Sequence, residues 1–151
     1  MRELNYPIIL CSKKFIRGKI QNETQLCIGA KFALKEKMYA NAVIYDSKCN
    51  KYSIYRYKKK FSLYVVFLNV INGIFDLFRR PKDEYSVWVD FELKDEGRLT
   101  FSQCKSEIAA FVNAKPRWFV KSHEDYASVE EKFASFDSIE ELINCEEGYS
   151  D

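Results

Sequence analysis

Histidine is almost missing from this chain: His123 is the only one in 151 residues. A Cys-His nucleophile pair would need it beside a cysteine, and a zinc centre would need it at ligand spacing from several. No local pattern provides either, so His123 reads as a surface loop residue. Glycine is scarce as well. Gly18, Gly29, Gly73, Gly97 and Gly148 stand alone, which leaves no glycine-rich loop to cradle a phosphate. With 3 prolines, no low-complexity tract and no internal repeat, a long linker or a repeat array is not expected. The 5 cysteines (Cys11, Cys27, Cys49, Cys104, Cys145) show no C-x-x-C spacing, and an odd count suits free thiols in a reducing compartment. The run from Tyr6 to Cys11 is too short for a secretory signal, so a cytoplasmic location is expected and the Asn22-Glu23-Thr24 acceptor pattern reads as chance. Neither a cofactor nor a metal is expected.

What the chain does have is apolar residues, 47% hydrophobic and 16% aromatic, enough for one core in a single domain spanning 1–151. The most apolar stretch is 61–78, FSLYVVFLNVINGIFDLF. As a helix it places Tyr64, Phe67, Leu68, Ile71, Phe75 and Phe78 on one stripe and reads as buried. A membrane span is disfavoured, because Asn69, Asn72, Gly73 and Asp76 interrupt it and a carboxylate in a span costs about 3 kcal/mol. A strand followed by a helix, broken at Asn72-Gly73, stays open.

Around this segment, Tyr6 to Cys11 and Phe15 to Ile20 suggest two strands, or one strand and an irregular return. Leu26 to Leu34 alternates like a strand, although Ala33 to Met38 could equally open a short helix. Ala40 to Tyr45 and Tyr52 to Tyr57 suggest a hairpin across a polar six-residue loop, 46–51. Arg80-Pro81 supplies a stop after the apolar stretch. Tyr85 to Leu93 is the cleanest half-buried strand, closed by a turn at Asp95-Glu96-Gly97. Thr100 with Gln103 forms a capping box for a helix running to Val112 and ended by Lys115-Pro116. Trp118 to Val120 suits a short strand, and Ser128 with Glu131 and Ser138 with Glu141 open two more helices. The expected fold class is α+β: an antiparallel sheet of four to six strands with helices packed on one face.

Charge is unevenly distributed. Residues 124–151 carry ten acids against Lys132 alone, a net of −9, while residues 1–123 net +11. Such asymmetry points either to an internal electrostatic match or to an acidic face aimed at a basic partner. An acidic row can compete for the cationic groove of a nuclease, since groups that bind phosphate also bind carboxylate. The expected partner-binding residues are Glu124, Asp125, Glu130, Glu131, Glu140 and Glu141, with Trp118, Tyr126 and Tyr149 as aromatic anchors. Asp90 and Glu92 share a strand face but read as ordinary solvent-facing acids, and no enzyme activity is expected. The basic cluster Arg56-Tyr57-Lys58-Lys59-Lys60, near Tyr52 and Tyr55, supports an alternative as a nucleic-acid-associated accessory protein.

The order Ile44-Tyr45-Asp46-Ser47, Tyr52-Ser53-Ile54, Ser86-Val87-Trp88-Val89, the helix from Phe101 to Val112 and the closing Phe136-Asp137-Ser138-Ile139-Glu140-Glu141-Leu142 resembles a loose group of bacterial immunity proteins. These are antidotes encoded beside contact-dependent or polymorphic toxins. The likeness covers roughly residues 35–145. Members vary greatly in sequence and fold, so no functional residue carries over by position. The resemblance implies a non-catalytic inhibitor that binds a cognate toxin C-terminal domain tightly and blocks its active site or an adjacent surface. Separately, a monomer or weak dimer without a membrane partner is expected.

Overall fold

The computed structural model describes residues 3–75, 86–114, 128–145 and 149–150. Strands β1 (Ile8–Cys11) and β2 (Phe15–Ile20) are antiparallel, and their turn is closed by the buried Ser12. Its Oγ accepts from the N–H groups of Lys14 (3.1 Å) and Phe15 (3.0 Å). The stretch read as one strand from Leu26 instead breaks into α1 (Glu23–Cys27), β3 (Ile28–Ala30) and α2 (Lys31–Lys35). Asn22 decides this: its side chain accepts from Gln25 N–H at 2.9 Å and starts a helix turn that overrides the alternation.

Strands β4 (Val43–Asp46) and β5 (Asn50–Lys60) form the expected hairpin. The connection is three residues rather than six, because Cys49 adopts φ 60°, the left-handed geometry that closes a three-residue turn. Helix α3 (Leu63–Phe75) follows, so the strand-then-helix reading of 61–78 does not hold within its described part. The Arg80-Pro81 stop lies outside the described residues. Strand β6 (Ser86–Arg98) runs through the expected turn at 95–97, with Gly97 at φ 98° and a register shift against Lys51/Tyr52.

Helix α4 (Phe101–Asn113) carries the complete Thr100/Gln103 capping box. Helices α5 (Val129–Ala134) and α6 (Ile139–Cys145) begin where Ser128 and Ser138 accept from the N–H groups of Glu131 and Glu141, both at 3.1 Å. The short β7 (Tyr149–Ser150) closes the series.

The seven strands pair in the order β3-β6-β5-β4-β1-β2-β7, antiparallel throughout. Five have four or more residues, and β3 and β7 add short borders. The α+β class with an antiparallel sheet is therefore the fold. The expected helical layer is α4, α5 and α6, whose Ile108, Phe133, Leu142 and Ile143 bury Ile9, Cys11, Ile16 and Tyr45 of one sheet face. The other face is covered too. Ile8, Leu10, Ile44, Val89 and Phe91 pack under Leu26, Ala33, Met38 and Tyr39. Tyr39 centres an aromatic cluster, edge-on to Phe15, Tyr57 and Phe91 at 5.2–5.6 Å. Gly29 passes against the Tyr39 hydroxyl where a Cβ would not fit.

One carboxylate anchors the hairpin. Asp46 is 0% exposed and accepts from Asn5 N (3.3 Å) and Nδ2 (2.8 Å), from Lys48 N (2.9 Å), and from Asn50 N and Nδ2 (both 2.9 Å). Burial alone would raise its pKa, but the donors from Asn50, Asn5 and Lys48 outweigh it and hold the carboxyl below the ordinary aspartate range. A depressed folded pKa means its contribution is fully present above the unfolded value of about 3.9 and is lost as pH falls through the lower folded value. Replacement by alanine orphans several N–H groups and is expected to cost about 2–4 kcal/mol in urea unfolding at neutral pH. The stability gap between wild type and Asp46→Asn should narrow as pH drops below about 4; a gap independent of pH would show that the charge contributes nothing.

Candidate functional site

Two surfaces stand out, one anionic and one apolar. In the first turn of α5 lie Glu130 and Glu131, and in the first turn of α6 lie Glu140 and Glu141, all exposed. Carboxylates there are favoured by the unpaired N–H groups of a helix start. Both helices are anchored from behind by Val129, Phe133, Ile139, Leu142 and Ile143, so their acids face outward. Lys132, the one base of this segment, is buried, with its ammonium 5.5 Å from the Phe136 ring centre. Glu130 accepts from Asn113 Nδ2 at 3.0 Å; bonding from its own backbone N–H and from Asn113 holds its carboxyl below the usual glutamate range. Glu141 accepts from Asp137 N–H at 3.0 Å. Neither makes an ion pair with a described residue. Glu124, Asp125, Tyr126, Trp118 and His123 lie outside the described residues, as does the suggested strand 118–120. Tyr149 is placed only as backbone, opposite Ile16.

The apolar surface corrects a sequence expectation. Helix α3 is not buried: Leu63 is 75% exposed, Val66 46%, Phe67 61% and Val70 55%, whereas Val65 is 5% exposed. Phe61 and Tyr64 add to the same exposed surface. Positions 63, 66, 67 and 70 form a single helical stripe, and this stripe faces water. The reason lies on the other side. Asn69 donates from Nδ2 to Ser86 O (2.8 Å) and accepts from Ser86 N at Oδ1 (3.0 Å), so the helix docks on β6 by a polar residue. The expected stripe divides accordingly: Tyr64 and Phe67 are exposed, and Leu68 and Ile71 are half-buried. The Phe75 side chain and Phe78 lie outside the described residues. Sequence reasoning missed this surface because the segment is apolar nearly all round. The usable signal was Asn69, which marks a polar docking edge opposite an equally regular apolar series.

Immediately before α3, Arg56, Lys58, Lys59 and Lys60 are exposed. Arg56 faces Glu92 across the ladder at 3.9 Å and Lys58 lies opposite Asp90, while Lys59 and Lys60 lie opposite Val89 and Trp88. Tyr55, at a break in register, is 72% exposed.

Burial raises the pKa of several thiols and phenols among the described residues. A cavity of about 460 Å³ is lined by Tyr6, Cys27, Glu23 and Asp90, among others. Burial, Glu23 and Asp90 push the Cys27 thiol up to about 11, and burial with Glu23 pushes Tyr6 up to about 12, opposite to the direction of an activated nucleophile. Tyr45 donates to Glu107 Oε2 at 2.6 Å, and Lys51 Nζ lies 2.7 Å from the same oxygen. Burial and the Glu107 bond raise the Tyr45 pKa, and the contact ties α4 to the sheet. All 5 cysteines are free thiols, and burial pushes Cys104 up to about 12. Among the described residues no group of three His, Cys, Asp or Glu could hold a metal ion, and no helix is long and apolar enough to cross a membrane.

No protein-family model, curated protein or solved structure matches this chain. Asn69→Ala removes both partners of Ser86 at once and is expected to cost about 1–2 kcal/mol. Hydrogen exchange should accelerate across residues 63–73 while β1 and β4 stay protected; unchanged exchange in α3 would show that another contact holds it.

Proposed function

We propose that this protein is a non-catalytic, immunity-type inhibitor that binds a basic toxin domain through the outer faces of α5 and α6. The observation that carries this reading is the row of outward carboxylates, Glu130, Glu140 and Glu141, on helices fixed from behind by core residues. A rigid anionic surface costs little ordering on binding and attracts a cationic partner over distance. Glu131 belongs to the same face, and inhibition proceeds by occlusion. The resemblance to immunity proteins supports the class. Compartment and partner identity, a cytoplasmic meeting with a cognate toxin C-terminal domain, belong to this proposal.

The alternative, nucleic-acid binding by 56–60, draws on exposed Tyr55 beside Arg56, whose guanidinium lies 6.0 Å from the ring centre. Its charge is reduced by Glu92 and Asp90 across the ladder.

The test is binding to the product of the adjoining gene, which this reading requires to end in a basic toxin-type domain. Glu130→Lys with Glu140→Lys, keeping Glu141 for its bond to Asp137, is expected to weaken affinity roughly 10- to 100-fold, mainly through slower association, with a flattened salt dependence. Unchanged affinity would remove this face as the contact surface.

A further inference from the structure

The outward stripe of α3 is not used by the acidic-face reading, and it is large. Six side chains (Phe61, Leu63, Tyr64, Val66, Phe67 and Val70), each about half to three-quarters exposed, form one patch. Such a patch is on the order of 600 Å², at the top of the range for the largest apolar patch of a monomer. At its N-terminal end it meets exposed bases of which Lys59 and Lys60 have no acid opposite them on β6. Lys58, Lys59 and Lys60 lead directly into it, and Leu63–Phe75 contains no charged residue at all. Lys59 and Lys60 are exposed and make no ion pair with a described residue.

We propose that this surface docks on an anionic phospholipid bilayer, with α3 lying in the headgroup region and the lysines against lipid phosphates and carboxylates. The described part of α3, 13 residues and roughly 20 Å long, suits lying along the hydrocarbon boundary. Phe61, Tyr64 and Phe67 supply the aromatic rings that this boundary favours. Charge favours an anionic lipid surface as the occupant, because Lys59 and Lys60 adjoin the apolar stripe and α3 carries no acid over Leu63–Phe75 to repel lipid phosphates. Near an anionic surface each lysine contributes roughly a fivefold factor in affinity. The docking is peripheral, so it stands beside the absence of a spanning helix among the described residues.

The experiment is co-sedimentation of the full chain with vesicles of phosphatidylcholine alone, or of phosphatidylcholine with roughly one third phosphatidylserine. Binding to the anionic vesicles should be at least about tenfold tighter and should weaken in high salt. Phe67→Ser with Leu63→Ser should abolish it, and Lys59→Gln with Lys60→Gln should erase the preference for anionic lipid. These positions are exposed, so circular dichroism and Tm should stay at wild-type values and separate lost binding from lost folding. Three results would overturn the proposal. One is no binding, or equal binding to both vesicles. Another is a wild-type dimer that Phe67→Ser converts to monomer without any lipid binding. The last is binding of a single-stranded oligonucleotide, but not vesicles, that the lysine variant loses.

Discussion

A charge sealed inside the protein, the Asp46 carboxylate, persists because five N–H groups from Asn5, Lys48 and Asn50 converge on it. That convergence fixes three things at once: the approach of the N-terminal segment, the tight turn between β4 and β5, and the register in which β4 meets β1. Ile9 and Tyr45 are thereby directed to one face, and Ile8, Leu10 and Ile44 to the other. Because side chains alternate along a strand, a slip of one residue would exchange the two cores. Burying polar groups here specifies arrangement more than it adds stability, and the Tyr45, Glu107 and Lys51 contact repeats the principle between sheet and helix.

With both sheet faces covered, recognition falls to the outer surfaces of the covering elements. Helices α5 and α6 bury their apolar sides and present acids, whereas α3 docks through Asn69 and presents its apolar side. The two surfaces differ in chemistry: carboxylates on the first, and apolar side chains beside lysines on the second. Both are held from beneath by contacts with the rest of the fold.

Much of this was legible in the chain. The capping box at Thr100 and Gln103 and the serines opening α5 and α6 fixed helix starts, because a side-chain acceptor three residues ahead of an N–H is a local, self-sufficient signal. The alternation from Val87 to Leu93 was readable for the same reason. Residues 23–35 were not, since a three-residue strand between two helices of five residues is decided by packing beneath Tyr39 and by the Asn22 cap rather than by period. The outward face of α3 was hidden by its own uniformity: with apolar residues on every side, hydropathy could not say which side met the protein. Of the expected site, Glu130, Glu131, Glu140 and Glu141 are brought onto one layer, and nothing local to their sequence could have shown that Lys132 turns inward between them.

Among the described residues, strand β6 pairs with β3 at Ser86, Val87 and Trp88, and from Val89 to Arg98 its ladder is bonded on the β5 side alone. A long unmatched border of this kind invites another chain to add a strand. Here it carries Asp90, Glu92, Lys94, Asp95, Glu96 and Arg98, with an irregular register near its end. An incoming backbone would have to desolvate those charges and follow a kinked path, so the strand resists templated growth into fibrils.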